Sequence, residues 1–129
     1  MTPQIDIKDI KPELFLDTAK SWARELQPKD KNKDKNKTSQ MRKFYNEVCS
    51  LEERLAACQD KQEKEQLFSK LQPGLCMLVP KAEYAKTRKH VDENFVKMIR
   101  TCITQVDGPD TLAHFRMFFE AVIGYSKEN

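Results

Sequence analysis

Thr38-Ser39-Gln40-Met41-Arg42-Lys43-Phe44-Tyr45-Asn46-Glu47-Val48 decides the fold of this 129-residue chain. Met41, Phe44, Tyr45 and Val48 recur three and four positions apart, which gathers apolar side chains on one face of a helix. Thr38 stands where a hydroxyl can accept from the unpartnered N–H groups of a first helical turn. Gln40, Arg42 and Lys43 fall on the rim or back of the same helix. Leu51 and Leu55 extend the apolar face and carry the helix to about Cys58. Glu52 interrupts that face near its middle. An unpaired buried carboxylate is costly, so a basic residue from another helix is expected to meet it.

The pattern continues on both sides. Pro12 suits the first turn of a helix running to about Gln27, with Leu14, Phe15, Thr18, Trp22 and Leu26 turned inward. Residues 28–37, Pro-Lys-Asp-Lys-Asn-Lys-Asp-Lys-Asn-Lys, hold no apolar side chain and read as a mobile loop, either a solvated linker or a basic arm. From about Lys61 a third helix carries Leu67, Phe68 and Leu71 towards Pro73-Gly74. Leu75–Val79 fits a short strand or a helix, and the chain offers no second strand to pair with, so helix is expected, kinked or ended by Pro80. A further helix places Val91, Phe95, Met98, Ile99, Cys102 and Val106 in one stripe. Asp107-Gly108-Pro109-Asp110 stops it and starts the next, with the glycine free to take a left-handed cap. The last helix turns Leu112, Phe115, Phe118, Phe119, Val122 and Ile123 over a wide arc, with Tyr125 at its edge. The expectation is one all-α domain over residues 1–129, a compact bundle of about five helices.

Charge and composition restrict what such a bundle does. The net charge of +3 equals the surplus of residues 28–37 alone, which hold five lysines and two aspartates. The remaining 18 basic and 18 acidic residues balance, so any phosphate-binding surface has to come from uneven placement of charge. No apolar run is long enough for a bilayer, and Met1–Lys8 lacks the regions of a signal peptide, so no membrane partner and a cytoplasmic location are expected. Cys49, Cys58, Cys76 and Cys102 are separated by 9, 18 and 26 positions, without the close spacing of a zinc or redox motif. Four free thiols and no metal or other cofactor are expected. The three glycines are isolated, the carboxylates are scattered, and His90 and His114 have no neighbours that mark a catalytic pair. The chain reads as non-enzymatic. Its remaining chemistry lies in two basic clusters, Arg42 with Lys43, and Lys81, Lys86, Arg88 and Lys89 around Glu83. Guanidinium forks and ammonium groups suit phosphate, and contacts of that kind hold a nucleic acid without reading its sequence.

The helix-opening stretch at 38–48 resembles a signature of the small subunit of type III-A CRISPR (Csm) effector complexes. Leu78–Arg88 is similar to that family's Pro-Lys, Tyr-Ala, Arg stretch, and Phe115–Val122, running on to Tyr125, to its C-terminal aromatic helix. The resemblance implies a non-catalytic subunit that stacks along a duplex of crRNA and target RNA, beside other Csm subunits and copies of itself. Base pairing in the guide then supplies specificity, and the protein needs a surface that follows the backbone. Carried over by position, Gln40, Arg42, Lys43, Lys81 and Arg88 face RNA, joined by Lys86 and Lys89 from the same basic segment. Tyr45, Tyr84 and the edge of Phe118–Tyr125 are core or subunit interface. The alternative is a helical adaptor that binds protein alone and carries its charges for solubility; a small ribonuclease would instead need His90 or His114.

Overall fold

Helices account for every regular element in the computed structural model, which describes residues 3–27 and 35–126. Helix α1 opens with a π-turn over Leu14–Thr18 and continues through Ala19–Leu26. It is followed by α2 (Thr38–Ala56), α3 (Lys61–Cys76), α4 (Leu78–Thr87), α5 (Glu93–Ile103) and α6 (Pro109–Tyr125). This is the expected all-α bundle. Residues 28–34, the larger part of the Lys/Asp/Asn segment, lie outside the described residues.

The wide apolar arc of α6 packs against α1 and α2 together, while α4 packs on α5 and α3 on α2. Phe115, Phe118, Phe119 and Val122 are fully buried, as are Phe95, Met98, Ile99 and Cys102 of α5. Aromatic edges join the layers. Phe44 of α2 meets Phe95 at 5.1 Å and Tyr45 meets Phe119 at 5.6 Å, both edge-on. Phe115 stacks on Phe119 at 5.8 Å. Each such pair adds roughly 0.5–1.5 kcal/mol beyond the area it buries. Glu52 finds the partner its position demands: Arg116 of α6 donates from Nε to Glu52 Oε1 at 2.7 Å and from Nη1 to Glu120 at 2.6 Å. Tyr45 donates to the same Glu120 oxygen at 3.2 Å. Burial first, then Cys49 and Glu120, pushes the Tyr45 phenol up to about 12, so it stays a neutral donor.

Helix ends differ from the expectations in four places. Thr38 does not cap α2; it lies inside the first turn, and its Oγ1 is buried without a hydrogen-bond partner among the described residues. Helix α3 runs through Pro73-Gly74 to Cys76, because Ser69 and Pro73 are exposed and water can serve the carbonyl that the proline leaves without a donor. The break comes at Met77, next to the carbonyl of Cys76 with which the Pro80 ring would clash. Pro80 itself sits in the first turn of α4, where a missing N–H costs little. Gly108 is extended, with φ −177°, and starts α6 rather than capping α5 in the left-handed region. Thr111 Oγ1 accepts from the N–H of Gly108 at 3.1 Å and of Asp107 at 2.8 Å. Asp60 and Asp92 cap α3 and α5, accepting from Gln62 and Glu63 and from Phe95 respectively. At α1 the π-turn shifts the inward face by one residue, so Leu14 is buried, Phe15 and Thr18 are half-buried, and Leu16 is exposed.

Two segments outside the helices are tied into the core. Residues Ile5 and Ile7 are buried, and Gln105 grips them from both sides of its amide: Nε2 donates to the Ile5 carbonyl at 2.7 Å, and Oε1 accepts from Ile7 N–H at 2.8 Å. Asn36, in the segment read as a solvated loop, is buried with φ 59°. Its Nδ2 donates to the Leu26 carbonyl at 2.8 Å, its Oδ1 accepts from Asp92 N–H at 3.1 Å, and its own N–H donates to His90 O at 2.9 Å. One side chain therefore joins the end of α1 to the start of α5.

Replacing Asn36 by Gly keeps the positive φ and removes both side-chain bonds; denaturant unfolding is expected to show a loss of about 1–3 kcal/mol. Asn36→Ala is expected to lose about 1 kcal/mol more, from the left-handed backbone. Thr38→Val keeps the shape and removes the unpartnered hydroxyl, so its unfolding midpoint is expected to equal or exceed that of the parent. A clear drop for Thr38→Val would mean that the hydroxyl caps after all.

Candidate nucleic-acid interface

Helical geometry separates Arg42 from Lys43. Adjacent residues lie about 100° apart around a helix, whereas residues three and four apart share a side. Gln40, Lys43 and Glu47 therefore line one flank of α2, and Glu47 on that flank meets Lys81 of α4 at 3.2 Å. Arg42 lies on the opposite flank, one turn from Tyr45, whose ring touches Phe119 of α6. Both cations are exposed, and neither has an ion pair among the described residues.

Helix α4 presents an exposed stripe of Met77, Lys81, Tyr84 and Arg88, each three or four positions from the next, while Leu78 and Ala82 point into the core. Tyr84 is 62% exposed, which excludes a core role for it. The Arg88 guanidinium lies over the Tyr84 ring, 5.7 Å from its centroid, and its Nη1 donates to the phenol oxygen at 3.4 Å. The Lys81–Glu47 pair is about half exposed on both sides, so it contributes at most about 1 kcal/mol and releases the lysine readily.

Lys86 faces elsewhere. Its Nζ pairs with Glu93 at 2.9 Å and with Glu83 at 3.4 Å, and Glu83 also meets Arg100 at 3.4 Å. The bond to Glu93, then that to Glu83, raises the Lys86 pKa, and the same lysine holds the Glu93 carboxyl below its usual range. This contribution is present at neutral pH and fades as acid protonates Glu93 below its ordinary value. A lysine between two carboxylates has its charge offset where it stands. Lys89 is exposed in the left-handed region, with φ 66°. His90 N–H donates to Ala85 O and Lys89 N–H to Lys86 O, both at 2.9 Å, the paired bonds of a helix-ending motif whose left-handed position is usually glycine.

The structure thus ties the α2 flank of Gln40, Lys43 and Glu47 to the α4 stripe of Lys81, Tyr84 and Arg88 through the Glu47–Lys81 pair, leaves Lys89 just past the end of α4, and sets Arg42 and Lys86 off that line. Glu47 is the residue that sequence reading passed over, although its place four residues after Lys43 puts it on the same flank. His114 Nδ1 lies 2.7 Å from the Ile7 carbonyl, and the His90 carbonyl receives Asn36. The four cysteines are free thiols; Cys102 is fully buried, which pushes its thiol well up. No cluster of His, Cys, Asp and Glu among the described residues is arranged to hold a metal, and no helix there is long and apolar enough to cross a membrane. On the far side, Phe15 and Leu16 of α1 meet Ala121, Gly124 and Tyr125 of α6 in a shallow apolar strip.

Neither a curated protein nor a solved structure matches the chain. A sequence model of the family described as Csm2 Type III-A matches residues 9–129, which include the α2 flank, the α4 stripe and the aromatic helix. The chain belongs to the Csm2 family, the small subunits of type III-A CRISPR (Csm) complexes.

Proposed function

We propose that this protein is a non-catalytic subunit whose α2–α4 face follows the phosphate backbone of the paired crRNA and target RNA without reading sequence. The observation that carries this reading is the Glu47–Lys81 pair, which joins the α2 flank that holds Lys43 to the exposed α4 stripe that runs through Tyr84 to Arg88. Lysine at the left-handed end of α4 supports it further. Glycine would suit that backbone better, so the position gives up stability to hold a cation beside Arg88. The apolar strip of Phe15, Leu16 and Tyr125 supports docking of neighbouring Csm subunits, copies of this chain included, and would also serve an adaptor that touches protein alone.

Binding of a crRNA–target duplex at two salt concentrations separates the readings. The double substitution Lys43→Ala, Arg88→Ala is expected to weaken binding and to lower the salt slope by about one unit for each phosphate no longer neutralised. Arg42→Ala removes the same charge from the other flank and is expected to change affinity by less than about twofold. If the double variant binds as tightly as the parent at both salt concentrations, the protein-only adaptor becomes the better account. If Arg42→Ala weakens binding as much as Lys43→Ala, the site is not on the α2–α4 face.

Lys89→Gly tests the exchange of stability for charge. Thermal unfolding is expected to show a gain of up to about 1 kcal/mol, while RNA affinity falls. A gain in stability with unchanged affinity would make Lys89 an ordinary surface residue.

A further inference from the structure

We propose that the Tyr84 ring, backed by Arg88, is a stacking platform for one unpaired RNA base, so that α4 favours single-stranded over fully paired RNA. The proposal rests on the reading of this face as an RNA surface and adds what the face recognises.

Tyr84 is more exposed than any other aromatic residue among the described residues. The other rings of the bundle go inward or lean on a neighbour, as Phe44 does on Phe95 and Tyr45 on Phe119. Among the described residues, the ring contact of Tyr84 is with the cation at the end of its own helix, Arg88. Arg88 lies over one face of the ring and bonds its hydroxyl, which restrains the side chain before any ligand arrives. The ring is 62% exposed in spite of that contact. A flat apolar face held in water beside cations fits a ligand that is itself flat and anionic at its edge. An unpaired nucleotide has both properties, since every base carries a π-face and every linkage a phosphate. Lys81 precedes Tyr84 by three residues and Arg88 follows by four, so a charge stands on either side of the ring along one stripe. A base inside a duplex is already stacked on its neighbours and cannot offer that face.

The test uses the intact chain, a short single-stranded RNA carrying a fluorescent purine analogue, and a duplex of the same length. Tyr84→Leu removes the ring but keeps helix propensity and bulk at an exposed position; a matching thermal unfolding curve confirms the fold. Tyr84→Leu is expected to weaken single-stranded binding about tenfold and to abolish quenching of the analogue. Duplex binding is expected to stay within about twofold, and Tyr84→Phe to behave as the parent. The inference is overturned if Tyr84→Leu binds both RNAs as the parent does, or weakens both equally. It is also overturned if the substitution leaves RNA binding intact but dissolves self-association of the parent, which would make the ring a contact between copies. A parent that binds neither RNA defeats the backbone reading itself. A parent whose single-stranded binding depends on Lys43 but not on Tyr84 defeats only the platform.

Discussion

The aromatic arc of α6 is the constraint on which the bundle depends. Phe115, Phe118, Phe119, Val122 and Ile123 cover more of the helix circumference than one neighbour can bury, so two helices must pack on it at once. Helices α1 and α2 fill that role, and α5 reaches the same cluster through Phe95. The arrangement leaves α2 with one free back and one flank turned towards α4. The Glu52–Arg116–Glu120–Tyr45 network lies at the rim of the arc, where charges can bond one another while still touching water. It fixes the register of α2 on α6 through direction, which apolar packing alone does not supply.

Most of this architecture is legible in the order of residues. Apolar side chains at helical spacing mark the inward faces of α2, α5 and α6, and the unusual position of Glu52 predicts an interhelical partner. Helix ends are less legible, because a cap depends on backbone angles that several residue types satisfy. Thr38 has a suitable side chain in an unsuitable place, and Gly108 has a freedom it does not use. Asn36 is hidden by its surroundings: among alternating lysines, aspartates and asparagines, composition gives no reason to single out one amide as buried.

The candidate surface is legible as residues and not as a surface. Counting cations in a segment treats Arg42 and Lys43, or Lys86 and Arg88, as neighbours. The helix turns them apart, and carboxylates of the same and of neighbouring helices offset the charge of some, as Glu83 and Glu93 do for Lys86. Family membership over residues 9–129 identifies the complex in which the chain serves. Which cations share a side of the bundle is a question of pairing across helices, and no single helix holds the answer.

The grip of Gln105 on Ile5 and Ile7 has a consequence for how the chain comes off the ribosome. These bonds join residues 98 and 100 positions apart, and His114 meets Ile7 across 107. Loop closure over such a span is slow to recover its entropy, and no earlier helix supplies the amide that these backbone groups use. At ordinary synthesis rates, Ile5 and Ile7 wait about 5–20 s for their partners to be made. Throughout that interval they are open to chaperones or to other nascent chains. Ile5 and Ile7 are thus translated well before Gln105 and His114, which bond them, while Trp22 of α1, which donates to the Pro3 carbonyl at 3.0 Å, is made early enough to hold the start of the segment sooner.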